Sequence, residues 1–470
     1  MAEEKIVMKF KTTLILLAIF LVLLAAVFFF ELRGPGKEDT GEKLVSLSSD
    51  DVEKIVFKQD GQTIQFNRQG EDWLITSPLE AKADKYEVNR LADDFSNLKI
   101  ERIIEETSPD LEKYGIPQKE LELHYKGQEE PVKILIGMEN PLDQTFFAKR
   151  ADETRVVLIP SLLKSLLDKS LFDFRQKDIF RFETDQAKAI KLKANEIRWE
   201  AEKKDEDWFL LQPVNALAQK SRINDILYAL SNLKAEEFVS EDKNQDEIRK
   251  YELDKPGYEV MVNLPAENQK MTFFIHKKED QVYATSSLSS KILQVEDSIL
   301  SDLEKKADEL RDKDVADFYS WEVERLQIKK GELSLILVKD KEDNWHFEEP
   351  QLQAQEADKE KVQSFLREFE SLEAEDFVDV PFNLEDYGLG MPQAEIKLWV
   401  GDEGKEPTEI MIHLGSEDKE SGKIYVKNAR IGYLFKVDSD FLEKFPSKPE
   451  EWKAQTEEAS KEAYPPHPNI

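Results

Sequence analysis

The stretches QGEDWLI (69–75), KDEDWFL (204–210) and KEDNWHF (341–347) decide how this chain is built. Each is a charged turn running straight into a tryptophan, and Trp73, Trp208 and Trp345 recur at intervals of 135 and 137 residues, about one domain length. The flanking patterns agree in order. Val52, Ile55 and Phe57 lead to the alternating Thr63-Ile64-Gln65-Phe66 in the first copy. The second copy has Ile190-Lys191-Leu192-Lys193 and Ile197-Arg198-Trp199, and the third has Leu326-Gln327-Ile328 and Leu335-Ile336-Leu337. Alternation with period two, broken by polar turns, predicts antiparallel hairpins.

Downstream of each tryptophan the period changes. Val88, Leu91, Phe95 and Leu98 step by 3, 4 and 3, as do Ile223, Ile226, Leu230 and Leu233, and Val362, Phe365, Phe369 and Leu372. That spacing puts one apolar stripe on an amphipathic helix, which buries it against its own sheet. Asp84 and Asp358 stand where an N-cap belongs, and Glu87 would complete a capping box with Asp84. The repeated tryptophans read as core anchors of the hairpins facing that stripe.

After the helix comes a strand-like exit, Lys234–Val239 matching Glu373–Val378, and then a tyrosine turn. It reads Leu111-Glu112-Lys113-Tyr114-Gly115-Ile116-Pro117, Ile248-Arg249-Lys250-Tyr251-Glu252-Leu253 and Leu384-Glu385-Asp386-Tyr387-Gly388-Leu389. Gly115 and Gly388 suit a left-handed C-cap, and Glu252 departs from that rule. A tyrosine placed in triplicate at a turn is a packing anchor rather than a nucleophile. Further alternating strands close each copy, among them Leu121–Tyr125, Val132–Ile136 and Glu409–His413. Two copies end alike, in Asp173-Phe174-Arg175-Gln176-Lys177-Asp178 and Glu309-Leu310-Arg311-Asp312-Lys313-Asp314. An arginine and acids at such a junction bridge adjacent modules.

From Leu14 to Phe30 the chain carries seventeen residues without a charge, about 25 Å of helix against a hydrocarbon core of about 30 Å. Lys5, Lys9 and Lys11 precede the run, which keeps the N-terminus in the cytoplasm and sends the rest across. No Ala-x-Ala site closes it, so it reads as an uncleaved signal anchor. The expected fold class is α+β: a single transmembrane helix, then three tandem modules of antiparallel hairpins with one amphipathic helix each. The boundaries are a cytoplasmic N-terminus 1–11, a transmembrane helix 12–32, a tether 33–46, modules 47–182, 183–319 and 320–453, and a disordered tail 454–470.

Composition narrows the function. With 66 basic and 98 acidic residues the net charge is −32, a field that repels phosphate backbones and argues against nucleic-acid binding. The absence of cysteine removes disulfides, thiolate catalysis and Cys-ligated zinc. His124, His276, His346, His413 and His467 are not paired at ligand spacing, and no metal site follows from them. The acidic pairs Asp205/Asp207 and Asp340/Asp343 lack the glycine and terminal glutamate of a calcium loop and read as solvated hairpin tips. No phosphate loop, nucleophile elbow or dinucleotide fingerprint occurs. The expectation is therefore no catalytic, cofactor-binding or metal-binding residue and no cofactor.

On the three tryptophans and the Leu111/Tyr114/Gly115, Ile248/Tyr251 and Leu384/Tyr387/Gly388 turns, residues 47–455 resemble a bacterial family of membrane-anchored repeats of unknown function. Its members look like companions of ABC transport systems of the gliding-motility type. The resemblance implies a non-enzymatic scaffold or accessory subunit in the plasma (inner) membrane, its repeats extracytoplasmic, with an ABC permease and extracytoplasmic subunits as partners. The alternative is a binding module for a cell-envelope polymer, glycan or peptide, and after it an envelope hydrolase. The sequence leaves any small-molecule ligand open.

Overall fold

The structure, a computed structural model, describes residues 41–454 apart from 109, 179, 265–268, 349–354 and 402–405. It forms two compact units divided after Lys177.

The first unit is one nine-stranded antiparallel sheet. Val52–Gln59, Gln62–Gln69, Asp72–Ser77 and Ala81–Lys82 run outward as a meander. The chain then crosses through the helix Lys85–Ser96 and places Arg102–Glu105 at the far edge. Lys119–Tyr125 returns to pair with Val52–Gln59, Leu121 opposite Phe57, and Val132–Glu139, Phe146–Arg150 and Val156–Ile159 fill the gap to that edge. Alternation sets the faces: Ile64, Phe66, Leu121, Leu123, Ile134 and Ile136 point inward and are fully buried. The helix stripe Val88, Leu91 and Phe95 covers them. Leu44 and Val45 are also in this core, with the Leu44 amide bonded to the Leu98 carbonyl.

Among the described residues the second unit holds two sheets of the same order, nine strands over Ala189–Val295 and eight over Val323–Asp438, covered by the helices Lys220–Ser231 and Lys359–Glu370. Asp84 and Asp358 cap their helices, each accepting two backbone N–H groups. Glu87 does not close a capping box; its carboxylate lies 3.0 Å from Lys169 Nζ. Trp73, Trp208 and Trp345 are at most 1% exposed, each buried beneath its helix.

The expected α+β class is corrected by these sheets: the fold is mostly β, 42% strand against 21% helix. One twelve-residue helix per copy is all the helical stripe makes. The hairpins, by contrast, merge into one sheet per copy, because the first strand of each copy pairs centrally with the strand that follows the tyrosine turn. Among the described residues no helix is long and apolar enough to cross a membrane. The run on which the transmembrane helix 12–32 rests lies outside the described residues, as do 1–11 and the tail from 455.

Candidate functional site

Two places in the second unit combine unusual burial or exposure with charge. The first is the seam between its two sheets. Short backbone bridges tie Ala218 to Arg311 and Asp314 to Glu373, and the Asp312 amide donates to the Leu217 carbonyl. Arg311 is 1% exposed. Its guanidinium carbon lies 3.8 Å from the centre of the Phe377 ring and 4.4 Å from that of Tyr433, so two aromatic rings flank the cation. Nη1 donates to Asp379 Oδ2 at 3.1 Å, and Nη2 lies 2.8 Å from Oδ1 as an ion pair. The side chain therefore leaves the end of the second sheet's module and is completed by residues in and beside the paired strands Asp376–Val378 and Leu434–Asp438 of the third. Burial pushes the Tyr433 hydroxyl up to about 12. Asp314, in the same seam, is raised to about 6 by desolvation and then by Asp312, Glu373 and Asp317. Burial also raises Asp312.

The second place is the outward face of the third sheet. Glu324, Arg325, Lys339, Asp340, Glu342 and Trp399 line an open groove of about 740 Å³. Strand alternation creates it: Leu326 and Leu398 point into the core, so their neighbours Arg325 and Trp399 face out, directly opposite each other in register. Arg325 lies 4.7 Å from the Trp399 ring centre and 2.6 Å from Glu348; Lys397 lies 4.8 Å from the same ring. Next to the groove, Tyr319 and Trp321 stack on each other, centroids 4.4 Å apart and planes at 18°. They are 53% and 60% exposed. Lys339, a groove residue, donates to the Trp321 carbonyl at 2.6 Å.

The model of a domain of unknown function, DUF4340, matches residues 73–212 and 208–383. The chain belongs to the DUF4340 family. Both matched segments begin on a repeated tryptophan, so the tandem repeat holds at the level of the family as well as of the sheets. No curated protein matches the DUF4340 chain. Among solved structures it is similar to a DNA polymerase sliding clamp from Pseudomonas aeruginosa with ligand, at 9% identity, covering 85% of this chain and 94% of that one with a TM-score of 0.16. It is also similar to DNA polymerase III subunit beta from Borrelia burgdorferi in complex with a natural product, at 8% identity, 85% and 94% coverage and a TM-score of 0.14.

The DUF4340 repeats scatter the other residues that the sequence singles out. The hairpin-tip acids organise turns: Asp205 and Asp343 adopt positive φ, and Asp340 accepts the amides of Glu342 and Asn344 while meeting His346 Nε2 at 2.7 Å. That contact with His346 and the two amides hold the Asp340 carboxyl below its usual range. His124, His276, His346 and His413 lie in separate strands, and His467 is outside the described residues. Among the described residues no cluster of three or more ligating side chains could hold a metal. The tyrosine turns pack as anchors: Tyr114 on Phe147, Tyr251 on Tyr283 and Tyr387 on Tyr425, at 4.8, 4.7 and 4.7 Å. Tyr251 also donates to the Val239 carbonyl. The groove escapes sequence reasoning based on what the copies share, since its aromatics belong to one copy alone.

Proposed function

We propose that this DUF4340 chain is a non-enzymatic scaffold, anchored in the bacterial plasma membrane by the apolar run 14–30 with its repeats outside the cytoplasm. There it serves as an accessory subunit beside an ABC permease and its extracytoplasmic subunits. The observation that carries this reading is the Arg311 seam, where one module's terminal arginine is completed by the next module's Phe377, Tyr433 and Asp379. A buried charge that needs two modules to satisfy it favours a fixed spacing between them, as a scaffold requires. The backbone position of Arg311, bridged to Ala218, corresponds in the third copy to Lys453, bridged to Ala357 and exposed. The net charge of −32 suits a chain that keeps clear of anionic headgroups beyond its anchor.

A pull-down of the intact chain in mild detergent, with mass spectrometry of its companions, tests the partners. Stoichiometric recovery of permease and extracytoplasmic ABC subunits is the expected result, and recovery of the chain alone from cells expressing such a system overturns it. Protease added outside intact inner membrane should digest the modules; full protection of residues 47–455 would contradict the topology.

A further inference from the structure

The three copies share a backbone, so positions can be compared across them. A short 3-10 turn precedes the first strand in each: Ser49–Asp51, Thr184–Gln186 and Ser320–Glu322. Residues flanking and within these turns correspond. Tyr319 and Trp321 stand where the first copy has Ser48 and Asp50 and the second has Glu183 and Asp185, all exposed. Strand register extends the comparison. Arg325 pairs with Trp399, as Lys54 pairs with His124 and Ala189 with Asn263. Three polar positions of the first two copies are thus aromatic in the third. All three lie in or beside the 740 Å³ groove.

Core packing does not account for this, because Tyr319 and Trp321 are more than half exposed and stack on each other in solvent. Exposed large aromatics in a cluster mark a contact surface. The surroundings select its chemistry. Glu324, Arg325, Lys339, Asp340, Lys341 and Glu342 supply donors and acceptors of both signs, beside an apolar strip of Val338, Pro407 and Trp399. A sugar ring presents an apolar C–H face, which stacks on an aromatic plane, and a rim of hydroxyls that both donate and accept. We propose that the groove and the Tyr319–Trp321 pair bind an oligosaccharide. The stacked pair receives a ring face, and Glu324, Arg325 and Lys339 receive the hydroxyls. The site stands on the third copy alone, independently of the scaffold reading.

The test uses the purified full chain in a non-glycosidic detergent, titrated by calorimetry with two probes: a β-1,4-linked glucose hexamer and a β-1,4-linked N-acetylglucosamine hexamer. Saturable binding of either is expected, and which one binds tells a plain glucan from an N-acetylated amino-sugar chain. Trp321→Ala and Tyr319→Ala should each weaken it by about tenfold or more, the loss of one stacking face. Trp399→His, the side chain of the first copy, should weaken it too. Tyr228→Ala, at a 66% exposed position in the second copy, should leave it unchanged. Each variant's melting point is recorded, so that loss of binding in a folded protein is distinguished from loss of fold. Failure of both hexamers to saturate overturns the proposal, as do Trp321 and Tyr319 variants that bind as tightly as the parent. Binding of a ten-residue polyproline peptide instead, abolished by the same substitutions, would assign the groove to peptide and equally overturn it.

Discussion

Truncating Arg311 to alanine tests whether the seam is a structural joint. The side chain is 1% exposed, lies between rings at 3.8 and 4.4 Å, donates from Nη1 to Asp379 at 3.1 Å and holds Nη2 2.8 Å from the same carboxylate. Each desolvated cation–π contact is worth about 2 kcal/mol, and breaking a buried ion pair costs about 3–5 kcal/mol. These overlap, since one side chain makes both. Asp379 is 40% exposed and regains water when its partner is lost, which favours the lower end. The expected loss is about 3–4 kcal/mol. Arg311→Lys should recover only part of it, because an ammonium cannot reproduce a planar guanidinium stacked between two rings. Urea unfolding of the full chain followed by tryptophan fluorescence reads the effect, with limited proteolysis at residues 311–320 reporting opening of the seam. Arg325→Ala is the control: also over an aromatic ring but half-exposed and paired at the surface, it should cost under about 1 kcal/mol. A loss at Arg311 no larger than at Arg325 would refute the reasoning.

Three further outcomes follow from the packing. Trp208→Ala removes an indole that is 1% exposed and should cost about 3–5 kcal/mol; an unchanged melting transition would mean the tryptophans are not core anchors. At Gly415 a Cβ would lie 2.2 Å from the Tyr387 carbonyl oxygen, so Gly415→Ala should destabilise by about 1–3 kcal/mol, whereas alanine at Gly331, with nothing within 4 Å, meets only its backbone strain. Asp314 has its folded value raised to about 6 from 3.8, so the folded state holds the proton more tightly and ionisation weakens it. Relative to Asp314→Asn, the parent should therefore match in stability below about pH 4, lose ground between about 4 and 6, and stay lower above; a pH-independent difference in midpoint would remove Asp314 from the linkage.

Much of the repeat was legible because its signals are local. A tryptophan after a charged turn, a 3-4-3 apolar stripe and a Tyr-Gly turn each depend on a few adjacent residues. The sheet was less legible. Edge strands such as Arg102–Glu105 are exposed or half-exposed throughout and carry no inward alternation, and which strands meet centrally is a long-range property. The Arg311 junction was visible as a repeated string, while its partners Phe377, Asp379 and Tyr433 lie 66 residues or more away in sequence and have no local signature. The groove was invisible for another reason. A search for what recurs passes over Tyr319, Trp321 and Trp399.

The middle copy shows how a rule can be broken without changing the fold. Gly115 and Gly388 adopt φ of 61° and 69°, and Glu252 takes the same left-handed turn at 56°. Opposite the turn, the first and third copies carry Gly137 and Gly415, where any Cβ would meet a tyrosine carbonyl at 2.2 Å. Strand register puts His276 at that position in the second copy, with Gly257 where the others have Gln118 and Gln393. The exchange is concerted. His276 Nδ1 accepts the Gly257 amide at 3.1 Å, its Nε2 lies 3.3 Å from the Glu252 carboxylate, and Lys278 meets the same carboxylate at 3.3 Å. The Lys278 ion pair and the His276 contact hold a side chain where glycine would sit without strain. Here the side chains differ between copies while the backbone turn is kept, which is the mark of a structural element. At Tyr319, Trp321 and Trp399 the backbone is also kept, yet Tyr319 and Trp321 are more than half exposed and Trp399 lies on the outward face beneath Arg325 and Lys397. A change that geometry does not need, placed on a surface, is where the third copy has acquired a role of its own.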